Sequence, residues 1–221
     1  MRLTLVALSV AAAFLCCADG AGTAATYHSG MVCMEGTSPT VHLFPHPLAD
    51  LLHLPCEESV VQGHYNDTIA ANGWSFLTLE GNSNHTDEHI AAAAGLLEGA
   101  LTAHRIAQHI GNIRRGSSTG FPPLMTAFVE ENFGWMEAQA AERGKSDGYW
   151  HQVKLLLLQL RGMYEGVNST LSSDASAAAP PSWRLFYSMA LLGDQDDLCP
   201  AFGGCSSPGR GVREKGDSHC R

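Results

Sequence analysis

The chain has 221 residues, of which 45% are hydrophobic and 16% are charged, and its formal net charge at pH 7 is −9. This length allows one large domain or two small ones, and the hydrophobic fraction is sufficient to bury a core. The negative charge, with no basic stripe to offset it, argues against a protein that binds nucleic acid.

The first twenty residues have the pattern of a secretory signal peptide. Arg2 is followed by an apolar run and then by small residues around Ala18 and Gly20. A membrane anchor would need a longer apolar span and a charged stop on its far side. We therefore predict a leader over residues 1–20, cleaved between Ala18 and Ala21, no transmembrane segment, and a secreted, lysosomal or other extracellular location.

In an exported chain, three Asn-x-Ser/Thr triplets are candidate N-glycosylation sites. They begin at Asn66, Asn84 and Asn168. We predict that some of these asparagines carry N-glycans and that they lie at the surface. Without the leader, an odd number of cysteines remains, so at least one thiol is free or paired with another molecule. These cysteines are Cys33, Cys56, Cys199, Cys205 and Cys220.

Between residues 24 and 81, one strand is the regular element predicted. Residues 24–65 are predicted to be irregular, because four prolines (Pro39, Pro45, Pro47 and Pro55) interrupt any long element. The segment "GWSFLTLEG" at residues 73–81 is predicted to be a strand. Trp74, Phe76 and Thr78 would share one face of it, and Leu77 and Leu79 the other.

Three helices are predicted after this strand. The first begins at about Thr86, which can cap it, and ends near Gly111; the second covers residues 123–143. Asp147 can cap the third, which has an apolar stripe of Tyr149, Val153, Leu156, Leu160 and Tyr164.

Three segments follow these helices. Residues 168–182 have the low complexity of a loop. A short buried element is predicted over residues 183–198, and an unpacked linker over residues 203–221.

The first helix has small residues at every fourth position: Ala91, Gly95, Gly99, Ala103, Ala107 and Gly111. Such a ridge lets another backbone approach closely, so we predict that this helix is buried between two layers. Glu98 lies beside the ridge. We interpret it as a buried carboxylate held by an arginine or by backbone amides, with an acid at a functional site as the alternative.

The segment "HTDEH" at residues 85–89 fits the His-x-x-Glu-His zinc pattern, with His85 and His89 as ligands and Glu88 as base. However, His85 lies in a glycosylation triplet at the helix cap, and no third ligand follows in the sequence. His104 and His109 are five residues apart and do not share a helical face. We predict neither a metal nor a cofactor.

Several long segments together resemble the phospholipase B-like family. They are "NGWSFLTLEG", "AAAAGLLEGALTAHRIAQHIGN", "ENFGWMEAQ", "GYWHQVKLLLLQLRGMYEG" and "GDQDDLCPAF", which occur in the order of the family between residues 66 and 202. The resemblance implies an α+β fold, the amino-terminal portion of the four-layer αββα sandwich of N-terminal-nucleophile hydrolases. Residues 21–202 would form this portion, mostly helical after residue 86.

The resemblance also implies a catalytic residue. In this family a precursor is cut before a cysteine, which then attacks a lipid ester or an amide, and Cys220 in "KGDSHCR" is the matching position. Only Arg221 follows it, so the family's second half is expected as a missing partner of this portion. The implied activity is hydrolysis of acyl esters in phospholipids. An amidase of the same superfamily and a secreted glycoprotein without catalytic activity remain the alternatives.

Overall fold

A computed structural model describes residues 26–51, 53–116 and 123–202 of the chain. These residues form an α+β structure, as predicted, that is mostly helical after residue 86. The strands are β1 (Thr26–Glu35), β2 (Ser38–Phe44), β3 (Val61–Thr68) and β4 (Trp74–Gly81). The helices are α1 (Ile69–Asn72), α2 (Asp87–Gly116), α3 (Pro123–Arg143), α4 (Gly148–Ser173), α5 (Trp183–Ala190) and α6 (Gln195–Ala201), with short 3₁₀ turns at Leu48–Asp50 and Leu192–Asp194.

The four strands form one antiparallel sheet in the order β2-β1-β3-β4. The prediction that residues 24–65 are irregular is therefore wrong, since β1, β2 and most of β3 lie there. A tight turn joins β1 to β2, and Gly36 provides the positive φ of 65° that this turn requires. Pro39 does not break β2, because an edge strand tolerates the loss of one backbone donor.

One face of the sheet packs against α2. Val32, Val61 and Tyr65 on the strands and Ala94 and Leu97 on the helix belong to a single buried cluster. Each large apolar side chain that is fully buried here contributes about 1.5–3 kcal/mol. The predicted faces of β4 are confirmed, because Leu77 and Leu79 pack against this cluster.

The opposite face of β1 is covered by the segment that follows β2. Ser29, Met31 and Cys33 lie on that face and are almost completely buried. A disulfide joins Cys33 to Cys56, and the Ser29 hydroxyl donates a hydrogen bond to the main-chain carbonyl of His46. His46 and Cys56 are thus fixed against one half of this face.

Glycines bring α2 and α4 into close contact on the side of α2 that faces away from the sheet. A Cβ on Gly95 would lie 2.9 Å from the Cα of Gln159, and one on Gly99 would lie 2.9 Å from the Cα of Met163. In return, a Cβ on Gly166 would lie 2.7 Å from the backbone nitrogen of Ala100. At Gly95 and Gly99 the small ridge therefore packs backbone to backbone, and this part of α2 is buried between two layers, as predicted. Gly111, the last residue of the ridge, makes no such contact.

The predicted starts of the later helices are confirmed. α3 has the predicted bounds, and the Asp147 carboxylate caps α4 by accepting from the backbone nitrogen of Tyr149. Two residues of the apolar stripe predicted for α4, Tyr149 and Leu156, are mostly exposed, and the other three are half-buried. The glycine side of α4 faces α2 instead. α4 also continues to Ser173, through residues predicted to be a loop.

The described residues divide into two compact units, one within residues 26–107 and 136–181 and the other within residues 108–135 and 182–202. The described part of the second unit centres on aromatic side chains: Phe133 contacts the rings of Trp183 and Tyr187, and Phe186 is fully buried. Ser182 caps α5, confirming a short buried element in this region. No helix in the described residues has both the length and the apolar character to cross a bilayer.

Candidate functional site

The predicted nucleophile, Cys220, lies outside the described residues, as do Cys205 and the whole of residues 203–221. The described residues do contain the predicted first helix, the predicted strand at residues 73–81 and the acidic side chains Glu88 and Glu98. Their geometry shows which of these groups are held in place.

Glu98 lies half-buried in the contact between α2 and α4. Its carboxylate accepts one hydrogen bond, at 3.1 Å, from the side-chain amide of Gln159. Burial raises the pKa of Glu98, and the bond from Gln159 offsets part of the rise. The prediction of a buried carboxylate is confirmed only in part, because Glu98 is half-buried and its partner is a neutral amide rather than an arginine or backbone amides.

The residues of the zinc-like segment have other partners. His85 lies in the turn before α2 and not on the helix, so it does not share a helical face with His89. Glu88 forms an ion pair with Lys154 of α4, at 3.1 Å. Within the described ranges, no three His, Cys, Asp or Glu residues are grouped to hold a metal ion.

One charged pair was missed by the sequence reasoning. Arg105 of α2 forms a two-pronged bond to Asp67 at the end of β3, with N–O distances of 2.6 and 2.9 Å. These hydrogen bonds raise the pKa of Arg105. A signal was present, because Arg105 is four residues after Leu101 on the stripe that faces the sheet. The pair fixes the end of β3 to α2.

The three glycosylation candidates lie in different settings. Asn66 is on β3 and half-buried, and Asn84 is in the exposed turn before α2. The Asn84 side chain donates to Glu58 at 2.5 Å, and this bond lowers the pKa of Glu58. Asn168 lies within α4, where its amide donates to the carbonyl of Tyr164 at 3.1 Å. Asn168 is thus on a helix rather than in the predicted loop.

Comparison with known proteins gives a consistent result. A family model described as Phospholipase B matches residues 61–218. The chain is 29% identical over 147 residues to Phospholipase B-like protein D of Dictyostelium discoideum, covering 66% of this chain and 25% of that protein. It is 28% identical over 175 residues to Putative phospholipase B-like 3 of Caenorhabditis elegans, covering 76% of this chain and 28% of that protein.

A human protein, Putative phospholipase B-like 2, is 29% identical over 147 residues, which cover 64% of this chain and 25% of that protein. The alignments thus span about a quarter of the length of these relatives. The family match ends at residue 218, two residues before Cys220.

Proposed function

The chain belongs to the phospholipase B family, and from this premise we propose that it is part of a hydrolase that cleaves acyl ester bonds of phospholipids. The observation that carries the proposal is the family match over residues 61–218. The relatives bear the name phospholipase B-like, which describes those proteins. In this chain, the proposed ester hydrolysis depends on residues that its own sequence contains.

Cys220 is the proposed nucleophile. Cleavage of the peptide bond between His219 and Cys220 would free an α-amino group with a pKa of about 8, close to working pH. That amine can take the thiol proton while the sulfur attacks the ester carbonyl. The amine then passes this proton to the leaving lipid alcohol, and water hydrolyses the thioester to release the fatty acid and regenerate the thiol. No metal or cofactor is needed for these steps.

The fold proposed for the active protein is the four-layer αββα sandwich. Two observations support it: the sheet has α2 packed on one face, and α2 and α4 are tightly joined by glycines. The sandwich needs a second sheet, which we assign to a carboxy-terminal partner region of the same precursor. The oxyanion and substrate-binding groups would come from there.

The test compares three precursors extended to the length of the relatives: wild type, Cys220→Ser and Cys220→Ala. We expect wild type to cut itself before Cys220 and to release fatty acid from phosphatidylcholine vesicles. Cys220→Ser should retain some cleavage because a hydroxyl can attack, whereas Cys220→Ala should lose both cleavage and turnover.

Three results would contradict this assignment. Lipid turnover that survives Cys220→Ala would place the nucleophile elsewhere. Hydrolysis of an N-acyl amide but not of the matched ester would identify an amidase with the same nucleophile. Processing without turnover of either substrate would favour a glycoprotein that does not catalyse.

We also propose that the chain is exported and works in the lysosome or outside the cell. The support is the order of Arg2, the apolar run and the small residues. Edman sequencing of protein expressed in a eukaryotic host should find a new amino terminus between residues 19 and 23. A retained Met1 would contradict export.

A further inference from the structure

A second disulfide involves α6. Cys199 lies in the last turn of this helix and is disulfide-bonded. The other two cysteines of the described residues, Cys33 and Cys56, are bonded to each other. The partner of Cys199 is therefore a cysteine outside the described residues.

The cysteines outside the described residues are Cys16, Cys17, Cys205 and Cys220. Cys16 and Cys17 belong to the proposed leader and are removed with it on export. The partner of Cys199 in the exported chain is thus Cys205 or Cys220. The choice matters because Cys220 is the proposed nucleophile, and a sulfur held in a disulfide has no thiolate with which to attack an ester.

The end of α6 is fixed close to Cys205. The ring of Phe202, directly after the helix, packs on that of Phe128 in α3, with the ring centroids 5.0 Å apart. The backbone nitrogen of Phe202 also donates to the carbonyl of Cys199, at 3.3 Å. Cys205 is three residues further on, so its Cα lies at most roughly 11 Å from that of Phe202. Bonded cysteines have Cα atoms about 4.4–6.8 Å apart, which a reversal of the chain after Phe202 provides.

The residues between the two cysteines favour this reversal. Gly203 and Gly204 follow Phe202 directly, and glycine has the widest choice of backbone angles. The sequence separation from Cys199 is 6 residues for Cys205 and 21 residues for Cys220. For a flexible chain, loop-closure entropy favours the shorter loop by about sixfold.

The neighbour of Cys220 favours an unpaired thiolate at that position. Arg221 follows it directly, and a positive charge beside a cysteine stabilises the thiolate. A stabilised thiolate is the better leaving group in thiol–disulfide exchange. Attack by Cys205 on a bond between Cys199 and Cys220 would therefore release Cys220.

We infer that Cys199 is bonded to Cys205 and that this bond leaves the thiol of Cys220 free. The bond closes a short loop at the end of α6 and prevents Cys199 from capturing the proposed nucleophile. The pairing requires only export into an oxidising compartment. Its protective role rests on the proposed function, because ester hydrolysis by Cys220 needs an unpaired thiol.

The bond forms by exchange with the disulfide of an oxidoreductase in the secretory pathway. One cysteine thiolate attacks that disulfide, and the second thiolate then attacks the mixed disulfide. The sulfurs of Cys199 and Cys205 become joined, and two electrons pass to the oxidoreductase. Its two sulfurs take up the two protons and leave as thiols.

The first test maps the thiols of the 221-residue chain secreted from a eukaryotic host. Free thiols are trapped with N-ethylmaleimide under denaturing conditions, and the unreduced protein is digested with trypsin, so the result does not depend on recovery of the folded state. Trypsin places Cys199 and Cys205 in one peptide, residues 185–210, and Cys220 in another, residues 216–221.

We expect the peptide of residues 185–210 to be lighter by two hydrogens and to carry no maleimide. The peptide of residues 216–221 should carry one maleimide. A cross-link between the two peptides would overturn the pairing, because it would join Cys220 to Cys199 or to Cys205. Maleimide on Cys199 in most molecules would overturn it as well.

The second test asks whether the bond protects Cys220. In Cys205→Ser, Cys199 loses its partner, and maleimide labelling of Cys220 should fall severalfold. Cys199→Ser/Cys205→Ser should restore the labelling. The matched control is Cys33→Ser/Cys56→Ser, which removes the other disulfide and should leave the labelling of Cys220 unchanged. Full labelling of Cys220 in Cys205→Ser would overturn the protective role.

Peptide mapping needs no lipid, so it tests the pairing independently of the proposed hydrolysis. A bond between Cys199 and Cys205 in a protein that does not hydrolyse lipid would support the pairing and contradict the hydrolysis. A cross-linked Cys220 in the secreted chain, together with lipid turnover by the extended precursor, would do the reverse.

Discussion

At the scale of single residues, two carboxylates of α2 face α4 and have opposite pKa shifts. Burial raises the pKa of Glu98. The pKa of Glu88 is lowered, first by its own backbone N–H and then by Lys154. The two groups therefore respond to pH with opposite signs, although both connect the same helices.

Glu98→Gln should stabilise the protein at pH 7. Because the folded state raises the pKa of Glu98, the folded protein binds this proton more tightly, and the free energy of unfolding falls as the pH rises through the interval between the unfolded and folded pKa values. The variant avoids this loss and can keep the bond to Gln159. We expect its Tm to be a few degrees higher, where about 1 kcal/mol corresponds to roughly 2–4 °C.

The control for this prediction is Glu88→Gln. In the wild type, the ionised Glu88 carboxylate stabilises the fold at pH values above its unfolded pKa. This stabilisation is lost as the pH falls through the lowered folded pKa. This variant should be less stable than wild type at pH 7, and the difference should disappear on acidification. Thermal unfolding at a series of pH values measures both. A Glu98→Gln variant less stable than wild type at pH 7 would contradict the raised pKa.

At the scale of elements, the contact between α2 and α4 depends on glycine. Gly99→Leu would place a side chain against the backbone of Met163, and we expect it to cost about 1–3 kcal/mol. Gly111 is the matched control, because a Cβ there meets nothing within 4 Å. Gly111→Ala should instead stabilise α2 by up to about 1 kcal/mol. Urea unfolding gives both values, and equal effects would show that the ridge makes no contact.

The disulfide fixes the segment that covers β1. Cys33 and Cys56 are 23 residues apart, and closing a loop of this size stabilises a fold by about 3 kcal/mol. Cys33→Ser/Cys56→Ser should lower the free energy of unfolding by that order. Peptide mapping without reduction should recover the two cysteines as one linked pair. Recovery of both as free thiols would rule the bond out.

Two errors of the sequence interpretation concern whole elements, namely strand β1 and the end of helix α4. β1 buries Met31, Val32 and Cys33 in succession, because both of its faces are covered, so the alternation that marks a strand is missing. The end of α4 was predicted to be a loop because residues 168–182 have low sequence complexity. Burial of Val167 and Leu171 nevertheless holds it in a helix.

At the scale of the whole molecule, the sequence predicted well wherever a local signal was strong. The cap at Asp147 and the glycine ridge of α2 are such signals, and both are confirmed. Helical spacing places Arg105 on the side of α2 that faces the sheet, but Asp67 is 38 positions away in the sequence, and no local pattern identifies it as the partner. The role of Cys220 rests on resemblance and stays a prediction.

The last prediction concerns the edge of the sheet. Within the described residues β4 has no strand on its outer side, and it is eight residues long, without proline or lysine. Such an edge is a template for another strand. We therefore expect the 221-residue chain, expressed by itself, to form oligomers that grow with concentration in size-exclusion chromatography with light scattering.

Thr78→Lys should shift these oligomers towards monomer, because a lysine on an edge strand must be desolvated when a second strand pairs with it. Gln152→Lys, on the exposed side of α4, adds the same charge away from the edge and should not change the oligomers. If both variants dissociate the oligomers equally, net charge and not β4 controls association. A wild-type chain that stays monomeric at every concentration would show that this edge is already protected.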